Sequence, residues 1–153
     1  MNVSSVPSSS EPALELRQVR LQRGRTTVFS SLSLQLHEPR IGLIGDNGVG
    51  KTSLLRLLCG LEVPDQGQVL SQGQDLHAAG AQRARWVGMM FQNPDDQLFS
   101  ASVYQDISFG AVNMGLPSEE VHRRVNVVME QIGITYLKDR PTHSLSFGQK
   151  KRV

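Results

Sequence analysis

The residues with the clearest chemistry lie in "GDNGVGKTS". Gly45, Asp46, Asn47, Gly48, Val49, Gly50, Lys51 and Thr52 fit the pattern G-x-x-x-x-G-K-[ST], and Ser53 follows. Where glycines remove side chains, successive backbone N–H groups can turn inward onto an anion. A helix starting near Lys51 aims its free N–H groups and the positive end of its dipole at the same point. Lys51 adds an ammonium for the outer phosphates, the Thr52 hydroxyl can hold Mg²⁺, and Ser53 is placed for the α-phosphate. A chance match is expected in well under about one in a hundred chains of this length. The dinucleotide pattern G-x-G-x-x-G is absent, because Ser53 stands where its third glycine belongs. The chemistry is capture of a nucleoside triphosphate by its phosphate tail.

Such a loop needs a strand before it and a helix after it. "RIGLIG" is a short apolar run without alternation, predicting a buried parallel strand over residues 40–44. "LLRLLCG" predicts a helix closed by Gly60. Upstream, Leu14 and Leu16, then Val19 and Leu21, alternate with polar residues, as do Leu32, Leu34 and Leu36. With a turn at Gly24, these predict an antiparallel hairpin. "PDQGQVLSQGQDL" reads as turn, strand and turn, and "WVGMMFQ" as a further strand. "LPSEEVHRRVNVVMEQIG" predicts an amphipathic helix ended by Gly133, with Val121, Val125, Val128 and Ile132 on its apolar face. Residues 1–12, rich in Ser and Pro, are expected to form a flexible tail, leaving 13–153 as one nucleotide-binding domain.

Composition excludes several other classes. Hydrophobic residues make up 39% of the chain, enough for a packed core. A net charge of +2 is too slight to specify a nucleic-acid partner. Cys59 is the single cysteine, so no internal disulfide forms, and it reads as a small apolar helix residue. No apolar run approaches the roughly 18 residues of a membrane span. His37, His77, His122 and His143 lack metal-ligand spacing with one another or with Cys59.

From about Leu14 to Val153 the chain resembles the ATP-binding subunits of ABC transporters. "GLEVPDQGQV" is similar to the segment that follows their phosphate-loop helix, and "MMFQNPDDQLF" is similar to their Q-loop, with Gln92 at the strand end. "LSFGQ", residues 145–149, is similar to their signature LSGGQ, with Phe147 in place of the first glycine. "NPDDQLFSASVYQDISFGAVNMGLP" looks like the energy-coupling-factor type, including importers of cobalt, nickel or vitamins. Near Arg23 many of these ATPases carry an aromatic residue that stacks on adenine. Arg23 is either a guanidinium stacking on the base or a solvent-facing turn residue.

The resemblance implies an α/β fold: a P-loop NTPase core with a RecA-like parallel sheet, an N-terminal antiparallel β subdomain and a helical subdomain, incomplete at the C-terminus. It implies an ATPase subunit of an importer for a metal ion or vitamin, peripheral on the cytoplasmic face of the cell membrane. ATP and Mg²⁺ are the implied cofactors. Gly45, Asp46, Asn47, Gly48, Val49, Gly50, Lys51, Thr52 and Ser53 would bind phosphate, with Lys51 and Gln92 catalytic and Thr52 and Gln92 at the metal. Ser146, Gly148 and Gln149 would recognise nucleotide held by the opposite subunit. The implied partners are a second ATPase subunit, identical or similar, and a transmembrane coupling subunit received beside Asp95 and Asp96. Nucleic acid is not among them.

In the family, the Walker B carboxylates, the D-loop and the switch histidine follow the signature helix. The 153 residues stop before them, so the expectation is a fragment or truncated product with little turnover alone. General-base assistance is worth about 10² to 10⁴ in rate. Without the Asp-bearing strand, residues 40–44 are expected to expose unpaired backbone. Three other readings stay open. A GTP-binding switch lacks the Asn-Lys-x-Asp guanine reader. A non-transport ABC module acting on DNA or ribosomes fits poorly with the weak net charge. The third is a nucleotide-binding remnant without turnover.

Overall fold

The computed structural model describes residues 12–153; the predicted tail at residues 1–12 lies almost entirely outside them. The described chain divides into two compact units, residues 12–89 and 90–153.

The first unit is built on the predicted hairpin. β1 (Leu14–Arg23) and β2 (Thr26–Leu36) pair antiparallel around the turn at Gly24. β3 (Gln66–Ser71) adds to the other edge of β1, and the short β4 (Gln74–Asp75) follows, giving the order β2-β1-β3-β4 with every pair antiparallel. α1 (Lys51–Leu58) packs Leu57 and Leu58 onto Leu16, Val19, Leu21 and Val69, with Leu32, Leu34 and Leu36 flanking that core. Its C-terminus is closed by Cys59 and by Gly60 in the left-handed region, as the sequence predicts. Cys59 is half-buried, and burial pushes its thiol pKa up.

Strict alternation along β1 would send Leu16 and Val19 to opposite faces, yet both are buried in one core. A bulge resolves this. Gln18 takes φ +47°, and the register to both neighbouring strands shifts between residues 16 and 20. Gly67 on β3 passes over that bulge at φ +89°. A Cβ there would lie 2.4 Å from the Arg17 carbonyl oxygen and 2.5 Å from that of Gln18. Only glycine fits.

The parallel strand predicted at residues 40–44 and the further strand predicted in "WVGMMFQ" do not form; both segments lack regular secondary structure, apart from a turn at Trp86. An apolar segment becomes a strand only by exchanging hydrogen bonds with a neighbour. None of the described residues offers a partner to these two, so Ile41, Leu43 and Ile44 remain exposed, Ile44 at 96%.

The second unit is helical. α2 (Val103–Asn113) escapes the sequence reading, although "SVYQ" carries its start signal: the Ser102 hydroxyl accepts from the Gln105 N–H at 3.3 Å. α3 (Ser118–Ile132) lies within the predicted stretch and ends where predicted, with Glu119 and Glu120 in its first turn and Gly133 as its left-handed cap. Its buried face differs from prediction. Val121, Val125 and Met129 are buried, while Val128 and Ile132 are exposed at 38% and 41%. The covering elements decide this: Val103 of α2, Ile134, Leu137 and Leu145 enclose the i, i+4, i+8 stripe and leave the adjacent one open. The N-terminus of α2 is pinned by the Val103 and Tyr104 N–H groups, which donate to the Arg140 and Lys138 carbonyls. α4 (Phe147–Lys150) ends the unit.

Candidate functional site

The phosphate-loop residues gather in one bend of the first unit. The Val49 N–H donates to the Asp46 carbonyl at 3.4 Å, closing a turn. Gly48 and Gly50 take φ +82° and +106°, after which α1 begins at Lys51. Gly50 caps the helix without a side-chain acceptor, and the first helical bond runs from the Leu54 N–H to the Gly50 carbonyl at 2.9 Å. Among the described residues, the N–H groups of Asn47, Gly48, Gly50, Lys51, Thr52 and Ser53 donate to no protein atom. A run of free, adjacent amides at a helix N-terminus is an anion receptacle.

Packing dictates the shape of this bend. A Cβ on Gly50 would stand 2.9 Å from Val28 Cγ1 and 3.2 Å from Phe29 Cζ, so the helix start is seated directly on β2. Lys51 Nζ donates to the carbonyls of Gly45 and Asp46, both at 2.7 Å. The loop thus curls around an ammonium whose third N–H points to no protein acceptor among the described residues. Positive charge and free amides thus share one short stretch of chain, in which Thr52 is exposed and Ser53 is half-buried. The donor set suits a polyphosphate, with a hydroxyl available for a hard cation. No cluster of three His, Cys, Asp or Glu side chains exists among the described residues.

The remaining predicted residues belong to the second unit. Gln92 is exposed on a bend before the 3₁₀ turn Pro94–Asp96, which Asn93 caps by accepting from the Asp95 N–H. Ser146 caps α4 in a reciprocal box: its hydroxyl accepts from the Gln149 N–H at 3.3 Å, and the Gln149 side chain accepts from the Ser146 N–H at 2.9 Å. Gly148 is exposed within that single turn. Sequence reasoning missed one link here. Lys150 forms an ion pair with Asp95, tying α4 to the acidic turn across 55 positions of sequence.

A profile of the ABC transporter family matches residues 29–153. The chain belongs to that family. Among its ABC transporter relatives is the energy-coupling factor transporter ATP-binding protein EcfA3 of Clostridium perfringens, 51% identical over 114 residues, covering 72% of this chain and 40% of that one. The biotin transport ATP-binding protein BioM of Rhodobacter capsulatus is 41% identical over 139 residues, 91% of this chain and 59% of its own. The solved structure of cbiO1 from Clostridium perfringens, part of the ABC transporter complex cbiONQ, superposes with a TM-score of 0.75 at 38% identity. It covers 94% of this chain and 59% of its own. This chain therefore spans about half the length of the ABC transporter proteins it matches. The expected antiparallel β subdomain and helices agree with this likeness.

Proposed function

We propose that this chain binds ATP as part of the ATPase subunit of an energy-coupling-factor type importer, powering uptake of a metal ion or vitamin. The observation that carries the reading is the set of free amides at residues 47, 48 and 50–53, bent around Lys51. Backbone N–H groups in that bend hold the phosphates, Lys51 neutralises the outer ones, and Thr52 supplies an oxygen to Mg²⁺. Mg²⁺, when bound, offsets phosphate charge. Ser146, Gly148 and Gln149 recognise nucleotide held by a second ATPase subunit; the Gln149 Oε1 and backbone N–H are both used by the helix cap, so Gln149 contributes its side-chain NH₂. A transmembrane subunit docks near Asp95 and Asp96, placing the protein on the cytoplasmic face of the membrane. That energy-coupling factor and biotin transport ATP-binding proteins are among its relatives supports this assignment. Hydrolysis is proposed of the full-length protein, because no residue described here acts as the base for the attacking water.

Titration of the purified chain with MgATP tests the reading. Lys51→Ala should weaken binding about 30-fold, the worth of a charge-assisted hydrogen bond of about 2 kcal/mol. Unchanged affinity in that variant, or no binding by the wild type, refutes it.

A further inference from the structure

α4 is a single turn of four residues, too short to hold itself in place, because a helix must grow well past its nucleus before it gains stability of its own. The capping box fixes the internal shape of that turn but not its orientation. Orientation comes from tertiary contacts on either side. Leu145, just before the turn, and Val153, just after it, pack onto the core that holds Val103, Val125 and Leu137. Two apolar anchors define an axis. They leave rotation about it open, since apolar burial has no preferred direction.

A third contact removes that freedom. The Lys150 side chain is only 18% exposed, and among the described residues its ammonium meets one carboxylate, that of Asp95. A cation so far withdrawn from water is costly to leave unpaired. Asp95 is 56% exposed, so the pair lies at a rim and its worth is modest. What favours it is that the acidic turn is already fixed and loses little freedom on pairing. Pro94 is buried, the Asp95 N–H donates to the Asn93 side chain, and the Leu98 N–H donates to the Pro94 carbonyl, both at 3.3 Å. The segments that follow the acidic turn and precede α4 are joined as well, by the Thr142 hydroxyl donating to the Ser100 carbonyl at 2.6 Å.

We propose that Asp95 is a positioning residue for the signature turn: through Lys150 it sets the rotation of α4, and with it the direction in which Ser146, Gly148 and Gln149 are presented to nucleotide on a second subunit. This rests on the reading of those three residues given above and leaves the phosphate loop untouched. Asp95 itself contacts no nucleotide in this role. Its effect passes through one ammonium, so the two side chains must act as a unit.

The test is MgATP-dependent self-association of the 153-residue chain, followed by sedimentation velocity, beside MgATP binding by the dilute single chain. Lys150→Met and Asp95→Asn should each weaken association about tenfold, because a rim pair is worth roughly threefold per turn and a dimer holds two signature turns. The double variant should lose no more than either single one. Lys150→Arg keeps the charge and should stay within about threefold of wild type. Single-chain MgATP affinity should stay within about twofold in Lys150→Met, which separates positioning of the turn from damage to the fold. Wild-type association in both single variants overturns the proposal, as do additive losses in the double variant or an equal loss of single-chain binding. Should Lys150→Met fail to fold, nitrogen relaxation of the Lys150 ammonium in the wild type decides. A freely reorienting ammonium contradicts the pair, and a restrained one with weakened association in Asp95→Asn upholds it. A wild-type chain that shows no MgATP-dependent association sinks the reading of the signature turn and this proposal with it. Association that depends on Ser146 but is indifferent to Asp95 and Lys150 sinks this proposal alone.

Discussion

Gly50→Ala tests whether the phosphate bend owes its shape to the sheet beneath it. The substitution carries two costs. An alanine at φ +106° adopts a backbone conformation that L side chains rarely occupy, worth about 1–3 kcal/mol. Its Cβ would also arrive 2.9 Å from Val28 Cγ1 and 3.2 Å from the Phe29 ring, and overpacking of this kind costs a further 1–3 kcal/mol or so. Gly48→Ala separates the two terms, because Gly48 has φ +82° and a Cβ there would meet nothing within 4 Å. The expected losses are about 3–4 kcal/mol at Gly50 and about 1–2 kcal/mol at Gly48. With a urea m-value of about 2 kcal/mol/M, the unfolding midpoints of the two variants should differ by roughly 1 M. Trimming the obstacle, in Val28→Ala/Gly50→Ala, should recover part of the gap. Coincident urea curves for the two glycine variants, followed by circular dichroism, refute the claim that β2 seats the helix start.

Gly67→Ala should destabilise the first unit by more than about 3 kcal/mol, since the added methyl meets rigid backbone carbonyls at the β1 bulge and not movable side chains; a urea midpoint near that of wild type contradicts this. In α3, hydrogen bonds from Arg123 and then Arg124 lower the Glu120 pKa to about 2. Because the folded value lies below the ordinary one of 4.5, the pair's contribution is complete above pH 4.5 and disappears as pH falls toward 2. A carboxyl carbon titration by NMR should place the Glu120 midpoint near 2, and Arg123→Ala should move it upward; a midpoint near 4.5 in the wild type contradicts the geometry. Ser146→Ala removes the α4 cap, worth about 1 kcal/mol, so exchange of the Gln149 amide should accelerate about fivefold. No change would mean that the box contributes nothing to that turn.

Local patterns were legible wherever the cause is local. The hairpin follows from alternation and Gly24, α1 from the residues after the glycines, and α3 from its acidic first turn and Gly133. The phosphate bend was equally legible, since bare glycines, one lysine and one hydroxyl at fixed spacing leave little else for the chain to do. α2 was missed because its mixed Val, Tyr, Ile, Ser and Gly composition hides the period, although its Ser102 cap was visible. Residues 40–44 form no strand, and the exposed, unpaired backbone expected there without an Asp-bearing neighbour is what the described residues show. Their apolar run was read correctly as strand-like, but a strand is a relation between two segments, and none of the described residues pairs with it.

By itself the sequence determined the family, the hairpin, the long helix and the identity of the phosphate-loop residues, because each depends on neighbours a few positions apart. Tertiary structure decided the rest. It placed Met129 inside and Val128 outside, chose glycine at positions 50 and 67 by close approach, joined Lys150 to Asp95, and set Glu62 against Arg23. Each of these is settled by atoms distant in sequence, and excluded volume and charge act on distance in space, which one-dimensional spacing does not encode.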